Sequence, residues 1–282
     1  MTGTFALHRS LAMLLRHPAI LVGSLFVVLF ALAAIFAPWL GTVDPQKLMP
    51  LNRLKPPHPD AWFGGDMIGR DLYSRTIYGA RVSLLVGLSV AVLSTAIGLI
   101  VGLLSGFVRW FDGIAMRIMD GMMAIPAILL AVAMIALTGA SLQNVIAAIT
   151  ISEVPRVARL VRSVVISLKE RPFVEAAHVI GTRLPAVLSR HILPNAMAPL
   201  LVQGSYIFAS AVLIEAALSF IGAGTPPNVP SWGNMIAEGR NVFQIAPHIV
   251  LFPGIALAIT VLSINLIGDG LRDALDPRYA RR

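Results

Sequence analysis

Residues 19–37 contain no charged side chain, and the same holds for residues 82–107 and 247–268. No other feature of the sequence restricts the fold as strongly. An α-helix rises 1.5 Å per residue, so about 20 apolar residues match the hydrocarbon thickness of a bilayer. Inside lipid there is no water to satisfy a peptide group, and a helix pairs its own. Two further runs, 119–138 and 196–221, each carry a single acidic residue, Asp120 and Glu215. Another begins near Val145 and soon meets Glu153. The expected fold is all-α, a polytopic membrane protein with six transmembrane helices. Composition agrees: 57% of the 282 residues are hydrophobic and 13% are charged, against about 25% charged in a soluble domain.

Several function classes are excluded or disfavoured at once. The chain has no cysteine, so it holds neither a disulfide framework nor a thiolate metal site. The six histidines (His8, His17, His58, His178, His191, His248) form no ligand pattern, and no metal is expected. No G-x-x-x-x-G-K-[ST] motif is present, so ATP hydrolysis by a P-loop is not expected of this chain, nor is any other catalysis. The net charge of +8 would suggest nucleic acid in a soluble protein. Here the basic residues cluster between apolar runs, as the positive-inside bias requires, and no nucleic-acid partner is expected.

Arg9 and Arg16 precede the first run with no acidic residue beside them, which places the N-terminus in the cytoplasm. A cleaved signal peptide would have a shorter apolar core, so the first helix is expected to remain. The next segment, up to residue 80, is polar and rich in proline, and reads as an external loop with a short ordered end. Its Lys47, Arg53, Lys55, Arg70, Arg75 and Arg81 run against a simple charge count. Gly98 and Gly102 form a small-xxx-small pair suited to close helix packing within the chain. Arg109, Asp112 and Arg117 suggest a short cytoplasmic turn, Pro126 a kink in the third span, and 139–144 an external hairpin. Arg156, Arg159 and Arg162 recur every third residue and are expected to anchor the fourth helix at the headgroups. Four arginines from Arg272 to Arg282 bring the C-terminus back to the cytoplasm. This divides the chain into 1–80 (tail, first helix and external loop) and 81–282, a five-helix core with a polar loop at 169–195.

That loop holds the most informative stretch. Ala176, Ile180, Leu184 and Leu188 fall at i+4 spacing, while Gly181 permits a sharp change of direction and Pro185 suits a first helical turn. Two short helices outside the membrane are expected, with Pro194 marking departure into the fifth span. The spacing alone fits either a lipid surface or a groove on another protein.

Glu175-Ala176-Ala177, then Gly181, then Ile192-x-Pro194 resembles the EAA signature of bacterial ABC importer permeases. Three more stretches resemble the C-type subunit of the dipeptide/oligopeptide/nickel branch. These are Gly65-Asp66-x-x-Gly69-Arg70-Asp71-x-x-Ser74-Arg75, then Leu218-Ser219-Phe220-Ile221-Gly222 with Pro230-Ser231-Trp232-Gly233, and finally Asn265 to Arg278. Gly65 departs from the threonine common at that place. The resemblance implies a type I permease with cytoplasmic coupling helices in the bacterial inner membrane. In it Glu175, Ala176, Ala177, Ile180, Gly181, Leu184, Leu188, Ile192 and Pro194 would meet an ATPase. The implied partners are a second homologous permease, two ABC ATPase subunits or domains and an external substrate-binding protein. ATP and Mg would be bound by the ATPases and no cofactor by this chain. Its job would be to form half of a pathway for di- or oligopeptides, with nickel complexes or other small solutes as alternatives. A secondary transporter driven by an ion gradient is the rival class. It calls for an internal repeat, which the sequence lacks. Glu215 is expected near the external end of its helix, pairing with the partner permease or water. Gln203 and Asn265 are expected to bond between helices.

Overall fold

The computed structural model describes residues 17–275. Arg9 and Arg16, expected to orient the first span, and residues 276–282, with the end of the C-terminal signature, lie outside them. The helices are α1 (Pro18–Ile35), α2 (Leu72–Phe107), α3 (Arg109–Met123), α4 (Ala127–Thr138), α5 (Leu142–Lys169), α6 (Pro172–Val179), α7 (Leu184–Phe220), α8 (Trp232–Gly239) and α9 (His248–Leu275).

Long passes run up and down one bundle. At one end His17 lies 3.9 Å from Asp273, and Lys169 Nζ donates to the Gly106 carbonyl at 2.9 Å. At the other end the 38–71 and 221–247 loops meet, with Gln46 Nε2 donating to the Asn228 carbonyl at 3.1 Å. Four helices, α1, α2, α7 and α9, are long and apolar enough to cross a membrane, and the α3–α4 pair would make a fifth. Against the six spans expected, length and composition alone give four or five: α5 is long enough, but its second half is charged, and α4 has only 12 residues.

Each departure has a local cause. Helix α2 starts ten residues ahead of its apolar run because Asp71 caps it, accepting from the Ser74 N–H at 2.8 Å. Hydropathy marks where lipid begins, whereas the cap marks where the helix begins. The expected kink at Pro126 is a full break, with α3 and α4 at 91°. Proline has no N–H and disfavours helical conformation in the residue before it. Residues 109–117, expected as a turn, are the first part of α3. Helix α5 continues through Pro155 and the three arginines to Lys169. Those arginines meet carboxylates: Arg156 pairs with Glu153 at 3.0 Å, Arg159 with Asp120, and Arg162 with Asp112 at 2.7 Å. Pro194 does not interrupt α7; a wider π turn at Leu188–Ile192 comes just before it.

Helices α2 and α5 approach closely at glycines. A Cβ built on Gly98 would lie 2.4 Å from Val157, on Gly102 2.5 Å from Val161, and on Gly106 2.4 Å from Val165. The small-residue repeat thus packs within the chain, as expected, and extends one step beyond the expected pair. The main core runs through Val86, Val90, Ile149, Val157, Ile207 and Ala211. A second cluster around Leu72, Trp232, Met235 and Ile249 closes the loop end. Leu21, Leu25, Val28, Leu29 and Leu32 of α1 stay exposed, an apolar surface suited to lipid.

Candidate functional site

The 170–193 segment is fixed where α5 ends. Lys169 binds the last turn of α2 and its ammonium lies 4.9 Å over the Phe107 ring. The Arg171 carbonyl accepts from the N–H groups of Val174 and Glu175, which starts α6. Helix α6 stops because Gly181 adopts a left-handed φ of 76° and Thr182 N–H bonds back to the Ala177 carbonyl at 2.9 Å. The chain then re-enters helix at Leu184 with Pro185 in the first turn, as expected from sequence.

This geometry sorts the residues singled out above into two groups. Ala177 and Ile192 are buried and, with Val174 and Val187, pin the segment to the core. Glu175, Ala176, Ile180, Gly181, Leu184 and Pro194 face outward, while Leu188 is half-buried. The expected apolar stripe is not continuous. The break at Gly181 leaves Ala176 on α6, Ile180 in the turn that follows it, and Leu184 and Leu188 on the next helix. Within this segment the most exposed large apolar residues are Val179 at 87% and Ile180 at 80%, next to the turn. Phe173 and Val179 escaped the i+4 reading because they lie off that row; their signal was only that they are apolar in a polar loop.

At the opposite end the Gly65–Arg75 stretch builds a buried ion cluster. Asp66 accepts from the N–H groups of Ile68 and Arg70 at 2.9 and 2.8 Å, from Arg70 Nε at 2.5 Å, and from Arg75. Both guanidinium groups also reach Glu238 Oε2 at 2.7 Å, tying the loop to α8. Burial pushes the Asp66 carboxyl up, but Arg75 and Arg70 outweigh it and hold the group below the usual carboxylate range. Gly69 makes the turn with φ 89°. The Pro230–Gly233 stretch is structural in a similar way. Ser231 caps α8, and the Trp232 indole N–H donates to the Thr76 carbonyl at 3.0 Å.

Glu215 lies near the end of α7 but finds its partners inside the chain: Oε1 accepts from Ser219 at 2.9 Å and Thr225 at 3.3 Å. The expected hydrogen bonds of Gln203 and Asn265 are not found among the described residues; Gln203 lines a cavity of about 290 Å³ with Tyr206 and Arg272. A larger apolar cavity of about 430 Å³ opens between α2 and α7, lined by Leu88, Val92, Leu99, Leu201 and Phe208 among others.

Helices, glycine contacts and the 170–193 segment together define an integral membrane subunit with a non-spanning protrusion. Residues 94–281 match the family described as binding-protein-dependent transport system inner membrane component, and the chain belongs to that family. Residues 6–57 match the N-terminal transmembrane domain of oligopeptide transport permease C. The chain is 52% identical over 267 residues to a probable peptide ABC transporter permease protein of Sinorhizobium fredii, covering 95% of this chain and 91% of that one. It is 45% identical to a dipeptide transport system permease protein of Alkalihalophilus pseudofirmus, covering 93% and 87%. It is 41% identical to a glutathione transport system permease protein of Escherichia coli, covering 93% and 88%. Inward-facing structures of the MetNI methionine ABC transporter include a chain with a TM-score of 0.60 at 23% identity, covering 73% of this chain and 98% of that one. This likeness shows the permease fold.

Proposed function

We propose that this chain forms half of the pathway of an ATP-driven importer of short peptides and couples it to a separate ATPase. The observation that carries the reading is the protrusion at 172–192, which is anchored by buried Val174, Ala177, Val187 and Ile192 and presents exposed Val179 and Ile180. An exposed aliphatic pair on a rigid base suits docking into a groove of another protein. The open-sided apolar cavity between α2 and α7 suits one wall of a passage that a second permease completes. On this reading the Lys169 end faces the cytoplasm, both chain termini lie there, and the loop end meets the binding protein. ATP-driven closure of the two ATPases would move the protrusions and switch the helices between two packings. Peptides are the proposed cargo because the similar permeases are named for peptides, a dipeptide and glutathione, itself a tripeptide.

The test is Gly181→Val. A non-glycine residue at φ 76° costs roughly 1–2 kcal/mol, and the site is open, so the fold survives while the turn distorts. Peptide uptake with the cognate binding protein should fall while the protein stays in the membrane. Uptake at the unsubstituted level would sink the proposal.

A further inference from the structure

Helix α3 has no role in the function proposed above, yet its construction is specific. Ala115 is buried and Asp112 half-buried against the bundle, where Asp112 receives Arg162 of α5; Asp120, itself exposed, receives Arg159. The other side presents Trp110, Ile114 and Ile118 at i, i+4 and i+8, exposed by 71%, 57% and 55%. Arg117 stands beside this row and Arg109 at the helix start; both are exposed and without an ion-pair partner among the described residues.

Two observations fix how the helix lies. Its axis is 91° from that of α4. Asp112 and Asp120 are eight residues apart, about 12 Å along α3, but their partners are three residues apart, about 4.5 Å along α5. Helix α3 therefore runs steeply across the bundle. It also joins two apolar segments directly: α2 ends at Phe107, and the apolar α4 begins at Ala127. Both ends of α3 are held at the boundary of the apolar layer, where a transverse helix lies flat.

We propose that α3 is an in-plane interfacial helix, its Trp110–Ile114–Ile118 row sunk into the boundary between headgroups and acyl chains and its Arg109 and Arg117 on anionic lipid phosphates. Tryptophan is enriched at this depth, and an amphipathic helix with a basic edge binds anionic surfaces. Through Arg159 and Arg162 the helix braces α5, which leads straight into the 172–192 protrusion. The protrusion is thereby referenced to the membrane surface.

The absence of cysteine makes the test direct. Single spin labels at Trp110→Cys, Ile114→Cys and Ile118→Cys are compared with Leu25→Cys on exposed α1 and Arg171→Cys, exposed at the base of the protrusion. The full chain is reconstituted in vesicles of phosphatidylethanolamine and phosphatidylglycerol. Collision with oxygen against a water-soluble nickel chelate should place the three labels about 5–10 Å below the phosphates, between the two references. Chelate access equal to that of Arg171→Cys would overturn the proposal. So would protection from both reagents, which means a protein covers the row, or a depth near the bilayer centre, which means the segment spans. Adding Arg109→Gln and Arg117→Gln should lift the labels toward water in these vesicles but not in phosphatidylcholine alone. No change in the anionic vesicles would remove the phosphate contact.

Discussion

A single methyl group at Gly102 should loosen the contact between α2 and α5. The built Cβ lies 2.5 Å from Val161 Cβ and 2.7 Å from the Ala158 carbonyl oxygen. Carbon atoms rest at about 3.5–4.0 Å, so the helices must part by roughly 1 Å. The carbonyl is backbone and cannot swing aside as a side chain would. Overpacking of this kind costs about 1–3 kcal/mol, while replacing glycine by alanine inside a helix returns about 0.8–1.0 kcal/mol. Gly102→Ala should therefore lose about 1 kcal/mol. Gly113→Ala is the control, because nothing stands within 4 Å of its Cβ and only the helical gain remains. The two variants should differ by about 2 kcal/mol in denaturant unfolding in mixed micelles, followed by tryptophan fluorescence. Gly98→Ala combined with Gly102→Ala should cost less than the sum, since one separation relieves both clashes. If Gly102→Ala is as stable as Gly113→Ala, the glycine contact does not hold these helices together.

Other perturbations separate the remaining parts of the account. Arg75→Met leaves Asp66 buried with Arg70 alone and should cost about 3 kcal/mol, at the low end for a broken buried pair, seen as faster proteolysis within 38–71. Because Asp66 is held below its unfolded value, its contribution is complete above an unfolded pKa of about 3.9 and is lost as pH falls through the lower folded value. Acid should therefore release the loop in the unsubstituted protein, and Arg75→Met should shrink that pH dependence; an unchanged profile would count against the cluster. Trp232→Phe keeps an aromatic side chain, though a smaller one, and removes the hydrogen bond to the Thr76 carbonyl. It should cost about 1–2 kcal/mol by the same unfolding assay, and no loss would mean that α8 is held by packing alone.

The long apolar runs that become α1, α2, α7 and α9 were legible because length and apolar content are properties of the residues themselves. Gly181 was legible too, since few residues other than glycine turn a helix sharply in two steps. What hydropathy could not read were features set by partners distant in the chain. Arg75 and Arg81 look like loop charges until Asp71 is seen to cap α2 and Glu238, far along the sequence, is seen to reach Arg75. For Arg159 and Arg162, nothing near them in the sequence shows that α3 brings Asp120 and Asp112 to them. The stripe from Ala176 to Leu188 failed for a different reason: its spacing assumes one helix, and the turn at Gly181 divides it. At the site, the sequence located the protrusion, but only burial separates the residues that anchor it from Val179 and Ile180, which it presents.

The measurement closest to the central proposal is the affinity of the solubilised permease for its cognate ATPase, with and without Val179→Asp and Ile180→Asp. Burying each of these side chains in a groove is worth about 1.5 kcal/mol or more, so the double variant should bind at least about 100-fold more weakly. Both side chains are largely exposed in the free chain, so its thermal stability should not change. Unaltered ATPase binding by the double variant would contradict the docking role of this protrusion and, with it, the coupling proposed for the chain.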